Sequence, residues 1–187
     1  MHMVSAATRW TAEMVRALPE DRNRYEVIGG DLLVSPGPTW THQAAVGRLN
    51  ASLMHYLSGS RVGHVYCAPA DIEFSEDTLV QPDIFVVPRR GDKAPRSWED
   101  VRELLLVVEV LSPSSARTDR LQKRDLYLVR GAPEYWVVDV DARLIERWRP
   151  EVGKPERLSD YITWQPAGAP DAFVVDLAEY FAAVLDD

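Results

Sequence analysis

Residues 104–115 read LLLVVEVLSPSS, an apolar run interrupted by one carboxylate, Glu109, and halted at Ser112-Pro113. A run this short, bounded by a turn signal, fits a strand buried on both faces, and such strands belong to sheets with helices packed against them. That directs the chain toward a layered α/β architecture. It also sets a chemical demand, because a carboxylate inside a two-sided core is costly unless something pairs with it.

The rest of the chain supplies the layers. A short helix is expected over 8–18, with Thr11 as its cap. The segment RYEVIGGDLLVSPGP predicts a hairpin turning at Gly29-Gly30, a pair favoured in tight turns. Ala45, Leu49, Leu53 and Leu57 then recur at helical spacing, behind Thr39 and Thr41, either of which can cap the helix. β-rich runs follow up to Leu111, and a helix over about 117–130 ends at Gly131. A second hairpin turns at Asp141-Ala142, and the tail offers one or two short strands and a closing helix from near Asp176. This order predicts a mixed central β-sheet flanked by helices, with an added N-terminal β-hairpin.

With 187 residues, 46% of them hydrophobic, and no repeat or long linker, one domain is expected over 1–187. No stretch approaches the ~20 continuous apolar residues of a membrane span, and the N-terminus does not read as a secretory signal. Cys67 is the only cysteine, so neither an intrachain disulfide nor a cysteine metal cluster is possible. A cytoplasmic protein is expected. The formal charge of −8 argues against broad, nonspecific nucleic-acid binding and leaves a local basic groove open.

Asp83 follows Pro82 and opens one apolar strand, and Glu109 lies inside the next strongly apolar one. Two carboxylates at neighbouring strand positions can hold a hard divalent cation such as Mg²⁺, which keeps waters free for a phosphate substrate. Such an ion would also pair the Glu109 charge. Taken singly, Asp83 also fits a turn cap, and Glu109 a partner for a core arginine. On the helix that follows, Asp119, Lys123 and Arg130 share a stripe bordered by Leu126 and Tyr127, away from Leu121, Arg124, Asp125 and Leu128. The stripe can turn Lys123 toward the carboxylates, where an amine steadies developing negative charge. The alternative is an i,i+4 surface ion pair between Asp119 and Lys123.

VQPDIFVV followed by LLVVEVLSPSSARTDRLQKRDLYLVRGAPEYWVVD, together with the opening block RYEVIGGDLLVSPGPTWTHQ, resembles the Uma-type restriction-endonuclease family of the PD-(D/E)XK nuclease superfamily. The resemblance covers about 18–150 and leaves 151–187 as a C-terminal strand and helix extension. It implies a restriction-endonuclease-like fold, Asp83 and Glu109 as metal-binding catalytic acids, the Val110 backbone carbonyl as a further ligand, and Mg²⁺ or Mn²⁺ as cofactor. The superfamily's lysine lies two residues after the second acid, where this chain has Leu111. The family pattern implies that Lys123 takes its place from the following helix. Glu26 and His42 match the opening block, Glu26 as an extra acid or water-orienting group and His42 as a phosphate contact or proton carrier. An exposed strand glutamate and a polar helix-start histidine fit the same two positions. Ser112 and Asp119 are supporting candidates.

The resulting expectation is Mg²⁺-dependent hydrolysis of DNA phosphodiesters, leaving a 5′-phosphate as the superfamily does. Residues 88–96 and 115–130 each carry a local charge of +3, so Arg89, Arg90, Arg120 and Arg124 are candidates for phosphate contact, though solvated surfaces explain the same charges. No base-reading module is legible. A catalytically inactive nuclease-fold binding module is the competing expectation, and a small-molecule phosphohydrolase a third. Trp136, Trp148 and the segment FVVDLAEYFAAVL offer apolar surface for either the core or a homodimer interface.

Overall fold

The structure is a computed structural model that describes residues 8–89, 97 and 101–186. Its central element is a six-stranded sheet in the order β10-β9-β8-β7-β6-β3, built from β3 (Gly63–Cys67), β6 (Ile84–Pro88), β7 (Leu106–Val110), β8 (Tyr135–Asp139), β9 (Leu144–Trp148) and β10 (Glu156–Leu158). β7 runs parallel to β8 and antiparallel to β6. A parallel neighbour needs a long crossover. Here it is helical throughout its middle: α3 (Ala116–Thr118), a π-helical turn (Asp119–Lys123) and α4 (Arg124–Val129).

Every residue of β7 is buried, which is why the strand reads as an unbroken apolar run. Successive side chains go to opposite faces. Val108 and Val110 join the cluster under α2 (Trp40–Ser60), while Val107 joins the one containing Tyr127 of α4. Thr39 caps α2 by accepting a hydrogen bond from the His42 N–H at 3.2 Å, and Ala45, Leu49, Leu53 and Leu57 form its buried face. The turn at 141–142 is also as expected, joining β8 to β9.

The N-terminal hairpin is larger than the sequence suggests. β1 (Asn23–Ile28) and β2 (Asp31–Pro36) pair across Gly29 and Gly30, both at positive φ, as a two-residue turn of this hand requires. β1 also pairs with β5 (Thr78–Val80), which pairs with β4 (Ile72–Ser75), making a four-stranded sheet β2-β1-β5-β4. α1 (Ala12–Arg16), capped by Thr11, packs its Ala12 and Val15 in a small core with Val27 and Leu79.

The C-terminal region adds a two-stranded sheet, β11 (Tyr161–Trp164) with β12 (Phe173–Asp176), and α5 (Leu177–Leu185) capped by Asp176. Trp136, Phe173, Leu177, Tyr180, Phe181 and Val184 belong to the cluster beneath α2, and Trp148 lies in the core on the other face of the sheet. Most of the apolar surface considered for a homodimer is therefore buried inside the subunit, with Val174 left exposed. Among the described residues, no helix is long and apolar enough to cross a membrane.

Candidate active site

Asp83 lies one step beyond the Ile84–Val108 pair of β6 and β7, so the register carries it opposite Glu109. The two are joined through backbone. The Val110 N–H donates to Asp83 Oδ2 at 2.8 Å, and the Asp83 N–H lies 3.4 Å from Glu109 Oε2. Glu109 alternates with Val108 and Val110 and so faces the crossover helix. There its Oε1 accepts from Lys123 Nζ at 3.1 Å and from the Tyr127 hydroxyl at 3.3 Å. The partner required by the buried glutamate is thus an amine delivered from a different element.

Lys123 is 3% exposed and is shared by three acids: Glu26 at 2.9 Å, Glu109 at 3.1 Å and Asp119 at 3.7 Å. The Asp119–Lys123 pair is thereby an interior contact. The turn that carries both residues is π-helical, a local form that recurs at functional sites. Leu121 is exposed, although it is apolar, and Arg130 leaves the charged stripe to lie over the Phe74 ring. Glu26, buried on β1, spends its other oxygen on the Gln81 N–H at 2.7 Å.

Asp83 is held from the opposite side. Arg24 donates to its Oδ1 at 2.9 Å, and His42 Nε2 lies 3.1 Å from its Oδ2. Arg24 was not legible as a site residue. The signal lies in its spacing, because Arg24 and Glu26 are two apart on β1 and share one face. The Tyr127 hydroxyl was missed for a simpler reason: the helix pattern marks it only as apolar.

These residues converge on a cavity of about 230 Å³ lined by Arg24, Glu26, His42, Asp83, Glu109, Val110, Ser112, Asp119 and Lys123 among others. Ser112 contributes a hydroxyl bonded to those of Ser114 and Ser115. The expected basic contacts are not brought there. Arg120 is tied to Asp139 and Glu146, and Arg124 pairs with Asp125 over the Trp148 ring. Arg89 does not line the cavity, its N–H donating to the Val62 carbonyl, and Arg90 lies outside the described residues.

The electrostatics follow from crowding. Burial works against the Asp83 charge, but hydrogen bonding from His42 and the Arg24 cation prevail and hold the carboxyl well below its usual range. Burial pushes Glu109 well above its usual range. Lys123 opposes that shift, while Asp83, Asp119 and Glu26 add to it. Burial likewise lifts Asp119 to about 6 against the pull of Lys123. Lys123 itself is desolvated, yet its three carboxylates hold it more basic than a free amine.

This donor set fits a divalent cation. Four carboxylates line the cavity against two side-chain cations, Arg24 and Lys123, a formal excess of two negative charges. Among the described residues, Asp119 Oδ1 is buried without a hydrogen-bond partner, and Glu109 Oε2 has only its long contact to the Asp83 N–H. Among the described residues, no group of three or more His, Cys, Asp and Glu side chains forms a ready cage. Two carboxylates and a backbone carbonyl, completed by water, are instead the open oxygen set that Mg²⁺ accepts.

Residues 12–178 match the family model described as "Uma2: Putative restriction endonuclease". Among solved structures, one described as a "putative nuclease belonging to DUF820 from Anabaena variabilis ATCC 29413" superposes with a TM-score of 0.78 at 20% identity, covering 94% of this chain and 99% of that one. Likeness at that identity speaks for the fold. No curated protein matches the chain.

Proposed function

Because the chain belongs to the Uma2 family of "Putative restriction endonuclease" proteins, we propose that it is a divalent-metal-dependent endonuclease acting on DNA phosphodiester bonds. The observation that carries this reading is the meeting of Asp83, Glu109 and Lys123, from three separate elements, in one cavity whose four carboxylates outnumber its two side-chain cations.

Asp83, Glu109 and the Val110 carbonyl would hold Mg²⁺ or Mn²⁺. When bound, such an ion polarises a phosphoryl oxygen and lowers the pKa of a coordinated water. The chain's own residues do the rest. Arg24 and His42 keep Asp83 ionised, so that it is a ligand across the neutral pH range. Lys123 keeps a fixed positive charge where negative charge grows on the phosphoryl oxygens. Glu26 and Asp119 aim its amine from both sides. His42 Nε2 lies against Asp83 Oδ2, and its buried Nδ1 has no hydrogen-bond partner among the described residues.

The test is incubation of supercoiled plasmid with Mg²⁺, Mn²⁺ or EDTA. Nicked or linear product is expected with either metal and none with EDTA. A folded protein that binds no divalent ion and leaves every DNA intact would instead be the catalytically inactive, nuclease-fold binding module.

The raised acids fix a pH sign as well. In EDTA-treated protein, Glu109 and Asp119 take up protons when folded that the unfolded chain releases, since their folded pKa values lie above their unfolded ones. Their contribution therefore rises as pH falls from 7 to 5, and the Asp119 share is lost again as pH climbs through about 6. Asp83 has the opposite sign, but its lowered pKa matters only below the ordinary carboxylate range. Melting in EDTA should thus move to higher temperature between pH 7 and pH 5. Added Mn²⁺ should raise Tm more at pH 7 than at pH 5, because protons compete for the same oxygens. A Tm indifferent to Mn²⁺ at both pH values would count against a metal site.

A further inference from the structure

Arg24 lines the carboxylate cavity with most of its hydrogen-bonding capacity unspent. Within its guanidinium, Nη1 alone serves the protein, donating to Asp83 Oδ1 at 2.9 Å and to the Gln81 carbonyl oxygen at 3.3 Å. Nη2 and Nε have no hydrogen-bond partner among the described residues, and neither is sealed from solvent. The side chain is 19% exposed, against 2–3% for those of Glu26, Asp83, Glu109 and Lys123. A guanidinium left open on one side is a planar fork that fits two phosphate oxygens at once. The other donors are occupied. Lys123 is enclosed by Glu26, Glu109 and Asp119, and Arg120 and Arg124 are tied to acids elsewhere. The Ser112, Ser114 and Ser115 hydroxyls bond one another.

We propose that Arg24 binds the substrate's phosphodiester group, with Nε and Nη2 donating to its non-bridging oxygens while Nη1 stays on Asp83. The inference rests on the nuclease reading for Asp83 as a metal ligand and for the polymer that carries the phosphate. Because the guanidinium sits on that carboxylate, an anion drawn to an ion at Asp83 comes within its reach. Burial divides the work between the two cations. The more open Arg24 meets the phosphodiester on arrival, whereas the enclosed Lys123 answers the charge that grows during reaction. Contact that is equal before and during reaction lowers KM rather than raising kcat.

The test measures binding of dimethyl phosphate, a diester without base or sugar, to the Mn²⁺-loaded protein by phosphorus NMR relaxation. A hydrogen bond to a charged group is worth about tenfold or more, so Arg24→Gln should weaken that binding by at least about tenfold. Mn²⁺ affinity, read by isothermal titration, should fall by no more than about threefold, because removing one cation beside the carboxylates does not weaken their pull on another. Arg24→Lys keeps a cation on Asp83 without the fork and should lose about fivefold in diester affinity, which serves if Arg24→Gln does not fold. No diester binding by wild type, unchanged diester affinity in a folded variant, or an equal loss of Mn²⁺ and diester affinity would each overturn the proposal. The last would make Arg24 a support for Asp83 alone. Arg24-dependent diester binding without DNA cleavage would retain the proposal and remove the nuclease reading. Metal-dependent DNA cleavage with diester binding indifferent to Arg24 would do the reverse.

Discussion

Replacing Lys123 by methionine should destabilise the protein by about 3–5 kcal/mol and cut plasmid cleavage by about 10²–10³-fold where the variant is still folded. The amine is the one cation shared by Glu26, Glu109 and Asp119, and all four groups are buried. Methionine fills the space but leaves three carboxylates facing one another. Burial already raises Glu109 and Asp119 while the amine is present. Without it, these acids must take up protons on folding, so the variant should recover part of its stability between pH 7 and pH 5. Urea denaturation at the two pH values measures both effects. Wild-type stability for Lys123→Met at pH 7 would show that the amine is not the counterion that the geometry makes it.

Glu109→Gln should abolish cleavage as thoroughly with little effect on the fold. Changes around a metal's ligands already cost about 10- to 100-fold in affinity or activity, so removing a ligand charge should cost at least about 100-fold. Stability responds differently, because Glu109 is the acid that crowding penalises most directly: burial, Asp83, Asp119 and Glu26 all disfavour its charge. Glutamine keeps the shape, and its carbonyl can still accept from Lys123 and Tyr127. The rearranged contact is the 3.4 Å approach to the Asp83 N–H, a long bond with little to lose. In EDTA, Tm should stay within a few degrees of wild type. The two variants therefore share a loss of activity and separate in stability, a pattern that general misfolding would not produce.

Much of this arrangement was legible in the chain. A carboxylate inside a two-faced apolar strand demanded a partner, and the spacing of Asp119 and Lys123 on the next helix offered one. What periodicity lacked was the partner of each charge across the fold. Arg24 read as an ordinary polar position on a hairpin, and Glu26 stood out only through the resemblance of the opening block, because only packing of the four-stranded sheet against the crossover helix turns their face inward. Arg120 and Arg124 read as phosphate contacts from local charge alone. Their actual partners include Asp139, Glu146 and Trp148, which belong to a hairpin further along the chain. The late tryptophans and C-terminal helix read equally as core or interface until β11, β12 and α5 were seen to close over α2.

Isothermal titration of Mn²⁺ into wild type and Glu109→Gln at pH 7 tests the central claim most directly. One site should be seen in wild type, with heat that falls as pH is lowered to 5, and it should be lost in Glu109→Gln while that variant keeps its wild-type melting behaviour in EDTA. Mn²⁺ binding of equal strength and stoichiometry in the two proteins would place the metal elsewhere and contradict the assignment of Asp83, Glu109 and Lys123 as the hydrolytic centre.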